Sequence, residues 1–169
     1  NMTMAMGIFT AMELYGLSYV VDPKTPFVEF SKDKSLVDYL QFPRQTLGYK
    51  AGDCDDLSVL FAALLEAVGV ETAFVTVPGH ILMAFSTGLR PEEAARAFGG
   101  SGDIISEAGQ AWIPVETTVR KGGFLKAWAE GVKQWKNASS RGTDGFFPVH
   151  QAWKTYEPVG LPGDRKSVV

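Results

Sequence analysis

The sequence predicts an α+β domain. A long apolar-striped stretch with helical period covers residues 54–68, and strand-like runs follow it at 71–77, 80–86 and 111–118. The chain has 169 residues, and a chain of that size buries roughly 70% of its unfolded surface, enough for one core without disulfides or metals to staple it. A single domain over 1–169 is therefore expected.

The elements follow in order. Ala5, Ile8, Phe9 and Met12 recur at helical spacing, so a helix is expected over 3–15, stopped at Gly16. A short strand follows at 17–21. Pro23 and Pro26 then impose an extended turn, because each proline biases the residue before it away from helix. A short helix is expected over 35–40, ended by Phe42-Pro43.

The clearest helix begins at Asp53, a good N-cap, with Asp55 and Asp56 in its first turn, where the helix dipole favours carboxylates. Leu57, Leu60, Phe61, Leu64, Leu65 and Val68 form its apolar face, Cys54 lies on that face at the N-terminal end, and Gly69 stops it. Pro78-Gly79 turns the chain between the next two strands. Residues 88–109 interrupt the strand pattern, with a helical turn at 91–98 and a flexible Gly99-Gly100-Ser101-Gly102 stretch. That excursion is too long for a hairpin turn and is a candidate lid. Phe124, Leu125, Trp128, Val132 and Trp135 mark a last amphipathic helix, followed by a polar loop and an aromatic-rich segment ending in a Pro/Gly tail.

Composition narrows the chemistry. Sixteen basic against nineteen acidic residues leave a net charge of −3, with no basic surplus for a phosphate backbone, so no nucleic-acid partner is expected. One cysteine excludes an internal disulfide, a CxxC redox pair and a multi-cysteine zinc site. Two histidines, His80 and His150, are too few for a histidine-rich metal centre. No run of eighteen apolar residues is present, so no membrane span is expected. Residues 2–17 carry Glu13 and no basic flank, unlike a signal peptide, and nothing else sets the compartment. The chain opens on Asn1 rather than Met, so it is expected to be a piece of a longer protein with neighbouring domains.

What remains must use Cys54. A cysteine nucleophile wants a helix N-terminus and an imidazole beside it, with a carboxylate to orient that imidazole. Cys54 sits at an expected helix N-terminus, His80 opens a strand, and Glu116 lies on the strand after it. Antiparallel pairing of His80 with Glu116 would set Leu82 against Pro114 and small Ala84 against large Trp112, and the period of two would put both polar residues on one sheet face.

The order of motifs resembles the transglutaminase-like superfamily, bacterial type, within the papain-like class. They are Phe42-Pro43-Arg44-Gln45-Thr46-Leu47, then Gly52-Asp53-Cys54-Asp55-Asp56-Leu57, then His80 at a strand start, then Trp112-Ile113-Pro114-Val115-Glu116-Thr117-Thr118. The match covers about residues 39–118, and its departure is Glu116 where that family carries Asp. The resemblance implies a Cys-bearing helix packed on an antiparallel sheet, with extra helices at both ends. It implies acyl transfer on a peptide or protein substrate, by amide hydrolysis or transglutaminase-type transfer. Cys54 would be the nucleophile, His80 the proton shuttle and Glu116 its orienting carboxylate. The Cys54 N–H and Gln45, or Gln41, would form the oxyanion hole. No cofactor is implied, with calcium at Asp53, Asp55 and Asp56 as the alternative. The opposing functional class is an inactive module that keeps the fold and binds a peptide or protein partner. His150, outside the match, reads as structural.

Overall fold

The computed structural model describes residues 1–21, 39–119 and 121–158. The expected turn at 22–26, most of the expected helix at 35–40 and most of the C-terminal tail lie outside them. Among the described residues the chain is mixed α+β, with six helices, a five-stranded antiparallel sheet and a separate two-stranded ladder.

Helix α1 (Met2–Tyr15) buries Ala5, Phe9 and Met12 and ends at Gly16, whose φ of 84° lets its N–H reach the Glu13 carbonyl. Strand β1 (Ser18–Tyr19) pairs in parallel with β2 (Ala51–Gly52). Between them lies α2 (Pro43–Tyr49), a helix the sequence pattern does not announce. Pro43 does not act as the expected stop. It is the first helical residue, where a fixed φ is an advantage and the missing N–H costs nothing. Helix α3 (Cys54–Ala67) starts at its expected N-cap, with the Asp53 side chain accepting from the Asp56 N–H, and buries Leu57, Leu60, Phe61 and Leu65.

Strands β3 (Thr72–Val77) and β4 (His80–Ser86) form a hairpin in which Val77 pairs with His80. Pro78 and Gly79 are the two turn residues, and the φ of 73° at Gly79 is the left-handed value such a turn requires after proline. This turn makes His80 the first residue of β4. The excursion then forms α4 (Pro91–Ala97) and β5 (Ile105–Glu107), which pairs with β6 (Gln110–Val115). Helix α5 (Gly123–Ser139), β7 (Gly145–Pro148) and α6 (Val149–Ala152) complete the described elements. The large sheet runs β5-β6-β4-β3-β7, with β4 in the middle.

One sheet face, carrying Met83, Phe85, Ile113 and Val115, packs with the apolar face of α3 and with Phe9 and Phe124. The Phe9 ring meets Phe61 and Phe124 edge-on, each at 5.8 Å between centroids. The other face holds a smaller cluster of Ala73, Val75, Leu82, Ala84 and Trp112. Helix α5 lies close against β6 at Gly131, where an added Cβ would sit 2.7 Å from the Pro114 carbonyl oxygen.

Two expectations need correction. The β4–β6 register pairs Ala84 with Pro114 and Ser86 with Trp112, two residues away from the expected alignment. Size matching of Ala84 to Trp112 does not set it, because the indole packs on Phe146 at 5.3 Å and its Nε1–H donates to the Glu107 carbonyl. A slip of two keeps every side chain on its face. The excursion, in turn, is anchored: Ala94 and Ile104 belong to the main core and Phe98 meets Trp128 edge-on. It extends the sheet by one strand and does not lie over the site as a lid.

Candidate functional site

Cys54, His80 and Glu116 come together where the first turn of α3 meets the ends of β4 and β6. The His80 Nε2 lies 2.6 Å from Glu116 Oε2. The register slip places Glu116 diagonally from His80 instead of opposite it, so the side chain must reach back along the sheet. The extra methylene of Glu over Asp supplies that reach. The Cys54 thiol is in hydrogen-bonding reach of the same imidazole. With Nε2 engaged by Glu116, Nδ1 is the nitrogen left for the sulfur.

The carboxylate is held on every side. Glu116 is 2% exposed. Its Oε1 accepts from the Thr118 N–H at 2.9 Å and from the Thr118 hydroxyl at 2.7 Å. Its Oε2 accepts from Gln134 Nε2 at 2.8 Å as well as facing His80. Next to it, Thr117 Oγ1 is 3.0 Å from Ser58 Oγ in the buried interior, which ties the Glu116 segment to the helix that carries Cys54.

These surroundings set the charge states. Burial pulls the His80 pKa down, but the hydrogen bonds to Cys54 and Glu116 and the charges of both outweigh it and push it up to about 10. Burial would raise the Glu116 pKa, and the bond to His80, the His80 charge and the Thr118 donors outweigh that and lower it. The favoured state is an imidazolium facing a carboxylate, with the Cys54 sulfur alongside.

Tyr19 borders the same site. Its pairing with Gly52 brings it beside the residues that start α3. Burial first, then the negative charges of Cys54, Asp53, Glu116 and Asp55, raise its phenol pKa. Gly52 itself is held to glycine by space, since a Cβ there would lie 2.6 Å from the Asp56 Cβ.

Both glutamines carry bonds of the local structure. Gln45 Oε1 accepts from the Phe42 N–H at 2.8 Å and caps α2, a bond that engages its oxygen and not Nε2, the group an oxyanion hole would use. Gln41 donates from Nε2 to Asp56 Oδ2 at 2.5 Å and from its N–H to Oδ1 at 2.7 Å, while its Oε1 is buried without a partner among the described residues. The other expected oxyanion donor, the Cys54 N–H, lies at the first turn of α3, where helical N–H groups lack intrahelical partners.

Of the carboxylates in the expected calcium group, Asp56 accepts the two Gln41 bonds. Asp53 and Asp55 lie with Cys54 in a group that offers one ligand atom each within 4.8 Å. His150 lies apart from the site: its Nε2 is 2.8 Å from Glu66 Oε2 and its ring stacks on Trp153.

Gln134, Thr118 and Tyr19 escape a reading of the sequence alone. Thr118 lies inside the motif that runs from Trp112, two residues past Glu116, where a hydroxyl next to a carboxylate is a local signal. Nothing in the sequence marks Gln134, which reaches Glu116 only through the packing of α5 on β6. No protein-family model matches the chain, and no curated protein sequence matches it.

Proposed function

We propose that this protein is a cysteine-dependent acyl-transfer enzyme acting on a peptide or protein, with the transglutaminase-like form of the papain-like fold. The observation that carries the reading is the 2.6 Å contact of His80 with buried Glu116 on an imidazole that also meets the sole thiol. In the forward step, the proton shared by Cys54 and His80 rests on the imidazole, and the thiolate sulfur attacks a carbonyl carbon. The Cys54 N–H donates to the oxygen that gains charge. The imidazolium returns its proton to the leaving amine as the C–N bond breaks, leaving a thioester. Water, deprotonated by His80, then attacks the thioester, the C–S bond breaks, and the acid and thiol are released. Glu116 touches no substrate; it orients the imidazole and holds its charge, and Gln134 and Thr118 hold Glu116. The chemistry needs no cofactor.

A second reading, an inactive module that binds a peptide or protein partner in the same cleft, is favoured by one observation: Cys54 is only 6% exposed. One experiment separates the two. Iodoacetamide alkylation of the sole thiol near pH 7 is compared with free cysteine, alongside hydrolysis of a casein or peptide-mixture substrate by wild type and Cys54→Ala. The enzyme reading expects alkylation faster than free cysteine and hydrolysis that disappears in Cys54→Ala. A thiol slower than free cysteine, with no Cys54-dependent hydrolysis, would leave the binding module.

A further inference from the structure

The hydrogen bonds of Glu116 fix it to particular parts of the fold. Its Oε2 faces His80 on β4 and accepts from Gln134 on α5, and its N–H donates to the Ala127 carbonyl on α5 at 3.0 Å. Its Oε1 takes both donors of Thr118 in its own turn. None of these bonds reaches α3, the helix that carries the sulfur. The imidazole and the carboxylate are thus registered to each other, while the sulfur depends on how α3 sits on the sheet.

Helix α3 is held down by the apolar packing of Leu57, Leu60, Phe61 and Leu65. Such packing is non-directional, so it resists separation better than a small slide or turn of the helix. Catalysis is less tolerant, since misplacing a reacting atom by about 1 Å can cost about a hundredfold.

A directional contact crosses from α3 to the Glu116 turn: Ser58 Oγ lies 3.0 Å from Thr117 Oγ1. Both residues are 0% exposed. Ser58 follows Cys54 by four residues, so it shares its helix face about 6 Å along the axis. Thr117 follows Glu116 directly. The pair therefore joins the residue one turn from the sulfur to the neighbour of the orienting carboxylate. Stability gives little reason for it, because a buried polar pair can be replaced by apolar groups of the same shape with almost no net change. A serine inside a helix also has a nearer partner, the carbonyl four residues back, which here is that of Cys54. Ser58 directs its hydroxyl across the interface instead.

We infer that the Ser58–Thr117 hydroxyl pair is a positioning device, setting α3 against the Glu116 turn so that the Cys54 sulfur stays on the imidazole that Glu116 orients. The inference rests on the acyl-transfer reading and adds two positioning residues to that site. Neither hydroxyl meets substrate.

The test compares wild type with Ser58→Ala, Thr117→Val, the double variant and Thr117→Ser. A peptide mixture, with Cys54→Ala as the blank, gives kcat and KM; thermal unfolding gives Tm, and imidazole NMR gives the His80 midpoint. Each single variant should lose about tenfold in kcat with KM unchanged, and the double variant no more, because the two hydroxyls act as a unit. The double variant should keep a Tm close to that of wild type. Burial lowers the His80 midpoint, and the Cys54 bond is first among the influences that raise it to about 10, so with the sulfur displaced it should fall by about one pH unit. Thr117→Ser keeps the hydroxyl and should restore both kcat and midpoint. A double variant with wild-type kcat and an unmoved His80 midpoint would overturn the inference while leaving the enzyme reading standing. So would kcat losses that follow Tm in the single variants and disappear in the double. Wild type without any Cys54-dependent cleavage would overturn the acyl-transfer reading, and the catalytic role of the pair with it.

Discussion

Replacing Glu116 by Gln removes the charge behind His80 while keeping the side chain's length. The carboxylate is 2% exposed and 2.6 Å from Nε2, so this is a charge-assisted hydrogen bond in a poorly hydrated place, worth about 1.5–3 kcal/mol. At about 1.4 kcal/mol per pH unit, the His80 midpoint should fall by roughly one to two pH units from its value of about 10. The sign for stability comes from linkage. His80 is raised above its ordinary 6.5, so its contribution is complete below pH 6.5 and is lost as pH rises toward 10. Glu116 is lowered, so its contribution is present above its ordinary 4.5 and is lost as pH falls through its folded value. Wild type should therefore lose stability at both ends, and Glu116→Gln should lose most between these limits. The assay is imidazole NMR, made simple because the chain has two histidines; a His150→Gln variant assigns them. A wild-type His80 titrating near 6.5, or a midpoint unchanged in Glu116→Gln, would refute the reasoning.

Three other outcomes are expected. Cys54→Ala should abolish hydrolysis yet change stability by only about 1 kcal/mol, read by urea unfolding, because a small side chain at a helix end is lost. Gln134→Leu should lower kcat about tenfold with KM unchanged, the equivalent of one bond of about 1.5 kcal/mol to a charged group. Its acid limb should also move up in pH, since the carboxylate loses a donor that favours its charged form; a fall confined to KM would contradict a positioning role. Gly131→Ala should cost about 1–3 kcal/mol and lower Tm, because its Cβ would meet the Pro114 carbonyl oxygen at 2.7 Å and push α5 from β6; an unchanged Tm would show that the two can part without cost.

The main features legible in the sequence are those with local signals. Asp53 before the apolar stripe of α3, Gly16 after α1, and Pro78-Gly79 between two strand runs each announce their element through backbone chemistry. The juxtaposition of His80 and Glu116 is also within reach, because a period of two survives a slip of two. The misses share a different cause. Strand β5 is three residues long, and its turn to β6 puts Ala108 at a φ of 52°, a position where alanine gives no warning. Strand β7 is Gly-Phe-Phe-Pro, too short to show alternation. Pro43 reads as a stop or a start depending on whether the residues after it go helical. Gln134 depends on how closely two elements approach, which no single segment encodes.

The borders of the large sheet bear on how any extended peptide is gripped. At one edge β5 offers only three residues, two of them exposed, and at the other β7 ends in Pro148, which has no N–H to give. Sheets that capture peptides do so by adding a strand to a long bare edge, a mode in which backbone bonds supply affinity whatever the side chains are. Among the described residues neither edge provides such a rail, and the strand that carries His80 is flanked on both sides by paired neighbours. On the proposed hydrolase reading, a peptide lying across this cleft would be held through its side chains and through the groups around the end of α3, which would favour discrimination between sequences over indiscriminate binding of extended chain.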